Sequence, residues 1–431
     1  MTRIKRGPPL PDPATAPDVR VAPTNGMYWY KAPVHGIQPR CWRGHASALL
    51  GNNIYVFGGR DMNTCFSDLY VLDADAMSWS KPEVHGDVPP PLRAMTMTPV
   101  RNKLVIFGGG DGKYYQNDVW VFDSITCKFT QPPVYSSKRP WPRRAHAACY
   151  YKNGIYVFGG GDGVHAMNDV WRLDVTDLNK GVYWKELSPS DYEPLTPLGM
   201  ATTTTTTTTS PPSSSSSGAP SQPPSSAGSG MGQEEMKYRS KPPCRGYHTA
   251  SMIGSNLVIY GGSNGTECYD DVWVFNVEEL VWKYVAVQHA RQRLCHTATV
   301  VGSFLFIVAG HDNVDYVNDV LLLNLVTMTW DSKRIFGAPP SARGYHSTIL
   351  YDSRLFVIGG YNGIQTFSDT YILELAVSSY YSQISQFTVV LKSQEQEDRQ
   401  KGWREVVARG GGGGGGMVVG AWVGDNGGYG G

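Results

Sequence analysis

The chain of 431 residues has few charged side chains and no excess of either sign. Lys and Arg number 38 against 37 Asp and Glu, charged residues make up 17% of the sequence, and the formal net charge is +1. Attraction to nucleic acid or to an anionic membrane through a global field needs a strong positive balance, which is absent. We therefore expect partners to be chosen by a local surface, with neither nucleic acid nor membrane among them.

Disulfide, secretory and membrane patterns are also missing. The seven cysteines are scattered without a CxxC pair, as expected for reduced thiols. The N-terminal stretch MTRIKRGPPLPDP has no apolar core of a signal peptide, and the longest apolar runs are strand-sized rather than the ~20 residues that a bilayer needs. These features predict a cytoplasmic protein without membrane insertion.

Recognisable catalytic motifs are absent as well. There is no nucleophile elbow, no HExxH and no nucleotide fingerprint. The run of seven glycines at 410–416 is followed by Met417 rather than by the Lys-Ser/Thr of a phosphate loop. We expect no catalytic residue, no metal ligand set and no cofactor.

What the chain does have is one pattern repeated six times. IYVFGG stands at 54–59 and again at 155–160, with looser copies at 104–109, 257–262, 305–310 and 355–360. Nine residues after the second glycine there is always an aspartate. The six aspartates are Asp68, Asp118, Asp169, Asp271, Asp319 and Asp369.

Each unit of about 50 residues reads as four short β-strands. The aspartate opens an alternating apolar run such as DLYVLD or DVWVFD, which has the period of a strand. The run before the glycines is apolar on both faces, as expected of a sheet packed between two other sheets. A unit of this kind is typical of one propeller blade, so the sequence predicts an all-β, six-bladed β-propeller with four antiparallel strands in each blade.

These motifs resemble the kelch repeat, whose hallmarks are a Gly-Gly pair and a spaced Trp. The resemblance covers residues 27–376. The hallmarks fall on Gly58/Gly59 with Trp79, Gly108/Gly109 with Phe129, Gly159/Gly160 with Trp184, Gly261/Gly262 with Trp282, Gly310 with Trp330, and Gly359/Gly360. Among kelch families, the chain is similar to fungal and slime-mould proteins of cell polarity and cell-end organisation, which implies a non-enzymatic interaction scaffold.

The missing outer strand of the sixth unit is expected from the N-terminus. Trp29 precedes Gly58 by 29 residues, the same distance as from Trp79 to Gly108. The segment MYWYKA should therefore close the ring and leave no open sheet edge.

Three segments fall outside the repeat. Residues 1–26 form an N-terminal segment, 188–238 a Thr/Ser/Pro-rich insertion within the propeller, and 377–431 a Gly-rich C-terminal tail. The composition of the insertion buries too little apolar surface to offset chain entropy, so we expect a disordered loop there. We also expect a disordered N-terminal segment and a flexible, low-complexity tail.

One histidine stands upstream of the glycine pair in five of the six units, and Met95 takes its place in the second. A feature that recurs in nearly every blade serves a need of every blade, so we expect structural hydrogen bonds from these histidines. The galactose oxidases share the kelch pattern, but their copper site needs two Tyr, two His and a Cys–Tyr cross-link, and no motif places that set here.

Partner binding is predicted on one loop face of the propeller, for an extended or acidic segment. Arginines that precede the inner strands suit the bidentate capture of anions, although they could equally bond turn carbonyls or the recurrent aspartate. Variable loops on a fixed frame favour recognition. The predicted contacts are Arg93, Arg143, Arg144, Arg245, Arg293, Arg343, Tyr114, His165, Tyr269 and His311.

Two alternatives to the scaffold remain open. One is a propeller enzyme of the galactose-oxidase type. The other is a substrate-recognition subunit of a ubiquitin ligase assembled in trans, since the sequence has no BTB domain.

Overall fold

The computed structural model describes residues 26–191, 240–289 and 291–375. Within these ranges all regular structure is β, and the strands form six sheets. Strands that follow one another along the chain within a blade pair antiparallel, and Gly, Asn or Asp stands in most of the turns between them. The predicted six-bladed propeller with four antiparallel strands per blade is confirmed.

The first three blades are built from consecutive segments of the chain. From the innermost strand outwards they are β3 (Ala46–Leu50), β4 (Asn53–Phe57), β5 (Leu69–Asp73) and β6 (Ser78–Ser80) in blade 1; β8 (Thr96–Val100), β9 (Lys103–Phe107), β10 (Val119–Asp123) and β11 (Lys128–Thr130) in blade 2; and β12 (Ala147–Tyr151), β13 (Gly154–Gly161), β14 (Ala166–Asp174) and β15 (Tyr183–Ser188) in blade 3.

Blades 4 and 5 follow the same order, and blade 6 differs only at its outer strand. The strands are β16 (Thr249–Ile253), β17 (Asn256–Tyr260), β18 (Val272–Asn276) and β19 (Val281–Val285) in blade 4; β20 (Thr297–Val301), β21 (Phe304–His311), β22 (Tyr316–Asn324) and β23 (Thr329–Asp331) in blade 5; and β25 (Ser347–Tyr351), β26 (Arg354–Tyr361), β27 (Thr366–Glu374) and β1 (Met27–Lys31) in blade 6. The first strands of neighbouring blades contact one another all the way round, including β25 with β3.

The N-terminal strand closes the ring, as predicted. β1 pairs antiparallel with β27, and Trp29 stands opposite Leu373. Trp29 is buried, and the Tyr30 hydroxyl donates to Glu374 at 3.3 Å. Blade 6 thus joins residues from both ends of the repeat region.

Three blades carry a short fifth strand that the sequence did not predict. β2 (His35–Gly36), β7 (His85–Gly86) and β24 (Ile335–Gly337) pair parallel with β6, β11 and β1. Each lies in the connection from one blade to the next and pairs with the outer strand of the later blade. These connections therefore fasten consecutive blades at the periphery.

The glycine pair is required where one blade meets the next. A Cβ on Gly159 would lie 2.8 Å from the carbonyl oxygen of Arg245, in the following blade, and one on Gly160 would lie 2.9 Å from Cβ of His146. Both glycines have positive φ, +63° and +91°, a region that other residues rarely adopt. The glycine pair thus combines a turn of positive φ with close packing.

The expectations of disorder concern residues that lie almost entirely outside the described ranges, namely 1–25, 192–239 and 376–431. The described strands run from Met27 to Glu374. The proposed domain boundaries stay predictions.

Candidate partner-binding mouth

Four of the predicted binding arginines are buried in ion pairs. Arg143 donates from Nη1 and Nη2 to the two carboxylate oxygens of Asp169 at 2.6 and 2.8 Å, and from Nη1 to the carbonyl of Gly159 at 3.0 Å. The equivalent pairs are Arg245 with Asp271, Arg293 with Asp319 and Arg343 with Asp369. The four arginines are 0–2% exposed.

This burial corrects the site prediction for Arg143, Arg245, Arg293 and Arg343. Their guanidinium groups donate hydrogen bonds to the recurrent aspartate and to the carbonyl of the first residue of the glycine pair. Because these groups are also buried, they cannot contact a partner. They tie the loop before each inner strand to the strand that the aspartate opens. The structural alternative considered for them is confirmed.

Blades 1 and 2 lack this buried pair. Trp42 and Leu92 occupy the position of the buried arginine, and both are 1% exposed. Arg43 and Arg93 stand one residue later, where blade 3 has Arg144. Arg93 and Arg144 thus belong to a different set from the other predicted arginines, and Arg43 joins them.

The repeated histidines bridge adjacent blades. Nε2 of His45 hydrogen-bonds with the hydroxyl of Ser347, and the equivalent pairs are His146 with Thr96, His296 with Thr249 and His346 with Thr297, at 2.9 to 3.1 Å. Burial lowers the pKa of His45 to about 3, so the ring stays neutral. The predicted structural role is confirmed for these four.

A closed ring of main-chain hydrogen bonds surrounds the axis beside the histidines. One residue from each blade donates its N–H to the carbonyl of the equivalent residue in the previous blade, at 2.6 to 3.0 Å. The members are Gly44, Ala94, Ala145, Tyr247, Cys295 and Tyr345. All six have φ between +53° and +63°, which is strained for residues other than glycine. We call this feature the amide ring.

The residue before each member of the amide ring lies at one end of the central channel, which we call the mouth of the propeller. It is Arg43, Arg93 or Arg144 in the first three blades, and Gly246, Leu294 or Gly344 in the last three. Each forms a bridge with the residue after its blade's glycine pair. The mouth is therefore basic on one side only.

The three mouth arginines line one small cavity of about 150 Å³ together with Tyr247 and Tyr345. None of the three forms an ion pair with a described carboxylate. Burial lowers the pKa of Arg93, and the charges of Arg144 and Arg60 lower it further. The described residues thus hold like charges together without a neutralising carboxylate.

The other half of the mouth is aromatic. A larger cavity of about 450 Å³ adjoins the amide ring and is lined by Tyr247, Tyr345, Tyr316, His165 and His311 as well as Arg144. The rings of Tyr247 and Tyr345 meet edge-on at 5.5 Å. Burial raises the pKa of Tyr316 to about 12, so these phenols are neutral hydrogen-bond donors at pH 7.

The structure brings three predicted residues, Arg144, His165 and His311, into that cavity. Arg93 lines the adjoining smaller one, and Tyr114 is 59% exposed on a neighbouring loop. Tyr269 requires a correction: it is 4% exposed, and its ring packs against the guanidinium of Arg245 at 4.1 Å. A partner cannot reach it.

The top loop of each blade is held by an aspartate or asparagine that accepts two main-chain N–H bonds. In blade 2, Asp111 accepts from Lys113 and Tyr114, each at 2.7 Å. These bonds lower the pKa of Asp111. The residue two positions after this aspartate or asparagine projects outwards. In three blades it is an exposed aliphatic residue, namely Val164, Val314 or Ile364.

Two absences within the described ranges concern metal binding and membrane insertion. No group of three or more His, Cys, Asp or Glu side chains there is placed to hold a metal ion. In the same residues, no helix has the length and apolar character needed to cross a membrane.

Comparison with known proteins agrees with the repeat architecture. A family model described as the KLHDC2/KLHL20/DRC7 Kelch-repeats domain matches residues 7–209 and 233–395. A leucine-zipper-like transcriptional regulator 1 homolog from Drosophila melanogaster is 25% identical over 160 residues, which are 35% of this chain and 16% of that protein. The Rho GTPase-activating protein gacHH from Dictyostelium discoideum is 39% identical over 46 residues, 10% of this chain and 3% of its own length.

The chain spans only a small part of either relative, and the shorter match has the length of a single repeat. Both similarities therefore concern the blades rather than the whole proteins. The family model, in contrast, covers most of the chain and all six blades. Together with the ring of six blades, this match shows that the chain belongs to the kelch-repeat family of β-propellers.

Proposed function

We propose that this chain is a non-enzymatic protein-interaction module that binds an extended acidic segment of a partner across the mouth. Kelch propellers bind protein partners, and a rigid scaffold with variable loops suits that task. The observation that carries the proposal is the set of Arg43, Arg93 and Arg144, which line one cavity and form no ion pair with a carboxylate of the described residues.

The division of the mouth supports an extended ligand. One end of a bound segment would place acidic groups on the arginines of blades 1 to 3. The other end would pack on Tyr247, Tyr345 and Tyr316, since aromatic side chains supply much of the energy of interfaces. The exposed loop tips Val164 and Val314 would meet flanking apolar residues.

Replacing Arg93 and Arg144 by Gln tests the proposal. Neither guanidinium takes part in a described ion pair, so the free energy of unfolding should hardly change. The test measures retention of a degenerate Asp/Glu-containing peptide library on the immobilised protein. The binding free energy should weaken by about 2 kcal/mol if these residues are hot spots. Equal retention by the variant and the wild type would place the binding surface elsewhere.

Arg101→Gln is the matched control. Arg101 is exposed in the turn between β8 and β9, at the opposite end of blade 2 from Arg93. Because the net charge falls in the same direction, a non-specific electrostatic effect would weaken binding in the control as well. Unchanged binding by Arg101→Gln would assign the loss to the mouth.

The cellular setting proposed is a scaffold in cell polarity or cytoskeletal organisation, with a ubiquitin-ligase subunit as its alternative. Proximity labelling distinguishes the two settings. Proteins labelled by the wild-type chain are compared with those labelled by the Arg93→Gln/Arg144→Gln variant. Labelled cell-end and cytoskeletal proteins would support the first setting. Labelled cullin components would support the second.

A further inference from the structure

The cations of the mouth converge, and no carboxylate among the described residues pairs with them. Arg43, Arg93 and Arg144 occupy the same position in three successive blades, so the ring geometry aims them at one place. Every buried arginine of the other set has its own aspartate. Within the part of the chain that the structure describes, carboxylates thus accompany the arginines that serve structure and not those that face the mouth.

Each mouth arginine also has unused donors. Nε of Arg43, Nε of Arg93 and Nη1 of Arg144 are buried atoms without a hydrogen-bond partner among the described residues. A buried donor without a partner costs free energy until a ligand satisfies it. All three atoms belong to arginines that line the same cavity.

Neighbouring groups hold the guanidinium planes in place. Arg43 stacks on Tyr361 at 3.8 Å, and Arg144 lies over Tyr115 at 5.2 Å. Arg93 packs against Gly112, where a Cβ would lie 3.1 Å from its Nη2. These positions are set before any ligand arrives, which reduces the entropy lost on binding.

The number of cations favours one type of anion. A carboxylate has two oxygens and one charge, and one bidentate arginine satisfies it. A phosphorylated side chain has three terminal oxygens and a charge of about −1.5 to −2 at pH 7. Three arginines around a cavity of about 150 Å³ fit the second group.

Tyr247 adds a neutral donor at the same place. Burial raises the pKa of its phenol, while the charges of Arg144 and Arg93 act in the opposite direction. Tyr247 lines the same cavity as Arg144 and Arg93. A phosphate oxygen in the cavity would have this hydroxyl as a further donor.

Resting on the proposed function, we infer that the acidic segment bound at the mouth carries a phosphorylated serine or threonine, held in the cavity of Arg43, Arg93, Arg144 and Tyr247. The phosphate is the main anchor. The aromatic half of the mouth then receives the residues that follow it.

Three degenerate peptide libraries of equal length test the inference, each randomised around a central phosphoserine, glutamate or serine. The immobilised wild-type chain should retain the phosphoserine library at least about tenfold better than the glutamate library, since new charge-assisted hydrogen bonds form only with the phosphate. Arg93→Gln/Arg144→Gln should abolish the preference, and Arg101→Gln should keep it. Arg93→Lys/Arg144→Lys should weaken it while preserving charge, because lysine lacks the bidentate fork.

The other outcomes are distinguishable. Equal retention of the glutamate and phosphoserine libraries overturns this inference and leaves the proposed function standing. Retention of no library by the wild type removes both. The inference also fails if inorganic phosphate binds the mouth with the same affinity as the phosphoserine peptides. It fails likewise if a single-stranded DNA oligomer binds the mouth in preference to the peptides. In either case the ligand is not a phosphopeptide.

Discussion

His45 of blade 1 and Ser347 of blade 6 form a hydrogen bond of 3.0 Å across the boundary where the ring closes, although 302 residues separate them in the chain. The same His-to-hydroxyl bond recurs at three other blade boundaries. The boundary between blades 1 and 2 replaces it by an apolar pair, Met95 with Ala46, which share one hydrophobic cluster.

The remaining boundary, between blades 3 and 4, is mismatched. His248 stands there, but the position of the hydroxyl is taken by Ala147, and Nε2 of His248 has no partner among the described residues. Ala147→Ser should supply one and stabilise the protein by about 1 kcal/mol, measured as a higher midpoint of urea unfolding. Ala46→Ser, which faces Met95, is the control and should destabilise, because its hydroxyl is buried without a partner.

Removing the carboxylate of a buried Arg–Asp pair should be costly. Asp271→Asn leaves the charge of Arg245 buried without its counterion, and we expect a loss of about 3 to 5 kcal/mol in the free energy of unfolding. Asp118 holds the same position in blade 2, where Leu92 replaces the arginine. Asp118→Asn should change stability by less than about 0.5 kcal/mol, and equal effects of the two changes would contradict a structural role for the pair.

Acid should destabilise the propeller below about pH 6.5. Burial lowers the pKa of His248 and His346 to about 3, whereas unfolded histidine has a pKa of about 6.5. The unfolded chain therefore binds protons first as the pH falls, and stability, complete above pH 6.5, declines from there towards pH 3. Chemical unfolding between pH 6.5 and 5.5 measures the slope, because few carboxylates titrate in that range.

A matched variant isolates one histidine. His296→Met with Thr249→Ala reproduces the apolar pair of blades 1 and 2, and it should reduce the slope by up to about 1.4 kcal/mol per pH unit. An unchanged slope would show that the buried histidines do not govern the acid response.

Ring closure by β1 gives a deletion test. Removing residues 1–33 takes away β1 and leaves β27 as an exposed edge, so we expect aggregation or loss of cooperative unfolding. Removing residues 1–25 spares every described strand and should leave the melting temperature unchanged. Equal stability of the two deletions would contradict closure by Trp29 and its neighbours.

The insertion should be replaceable. Lys241 Nζ lies 2.8 Å from a carboxylate oxygen of Asp191, so the described residues on either side of residues 192–239 are adjacent. Since loop-closure entropy depends only weakly on length, a short Gly/Ser linker in place of 195–236 should keep the melting temperature within a few degrees. Loss of folded protein would show that the segment contributes to the blades.

The fold followed from the sequence because its strongest signals are steric. A glycine pair in five of the six units and an aspartate at a fixed distance in all six left few alternatives, and the spacing of Trp29 identified the closing strand. The candidate site was harder to predict. Arg93 stands two residues before position 95, where Met replaces the histidine that marks the register in the other blades. Without that histidine, the sequence pattern does not distinguish Arg93 from the buried arginines.

Tyr269 shows a second limit. Its equivalents in the other blades include Phe66, Met167, Val317 and Phe367, an apolar series that marks an inward position. Its phenol suggested a binding loop, whereas the register indicated the core. The amide ring was missed because main-chain hydrogen bonds between distant residues leave no side-chain pattern, apart from the small residues in three of its six positions.

The amide ring separates the shape of the mouth from its chemistry. The bonds of the ring are made by main-chain atoms, and its members carry Gly, Ala, Cys or Tyr. Exchanging the side chains of Arg43, Arg93 and Arg144, which precede three of its members, would therefore leave these bonds in place. The ring is thus a fixed frame on which new ligand preferences could be selected without redesigning the fold.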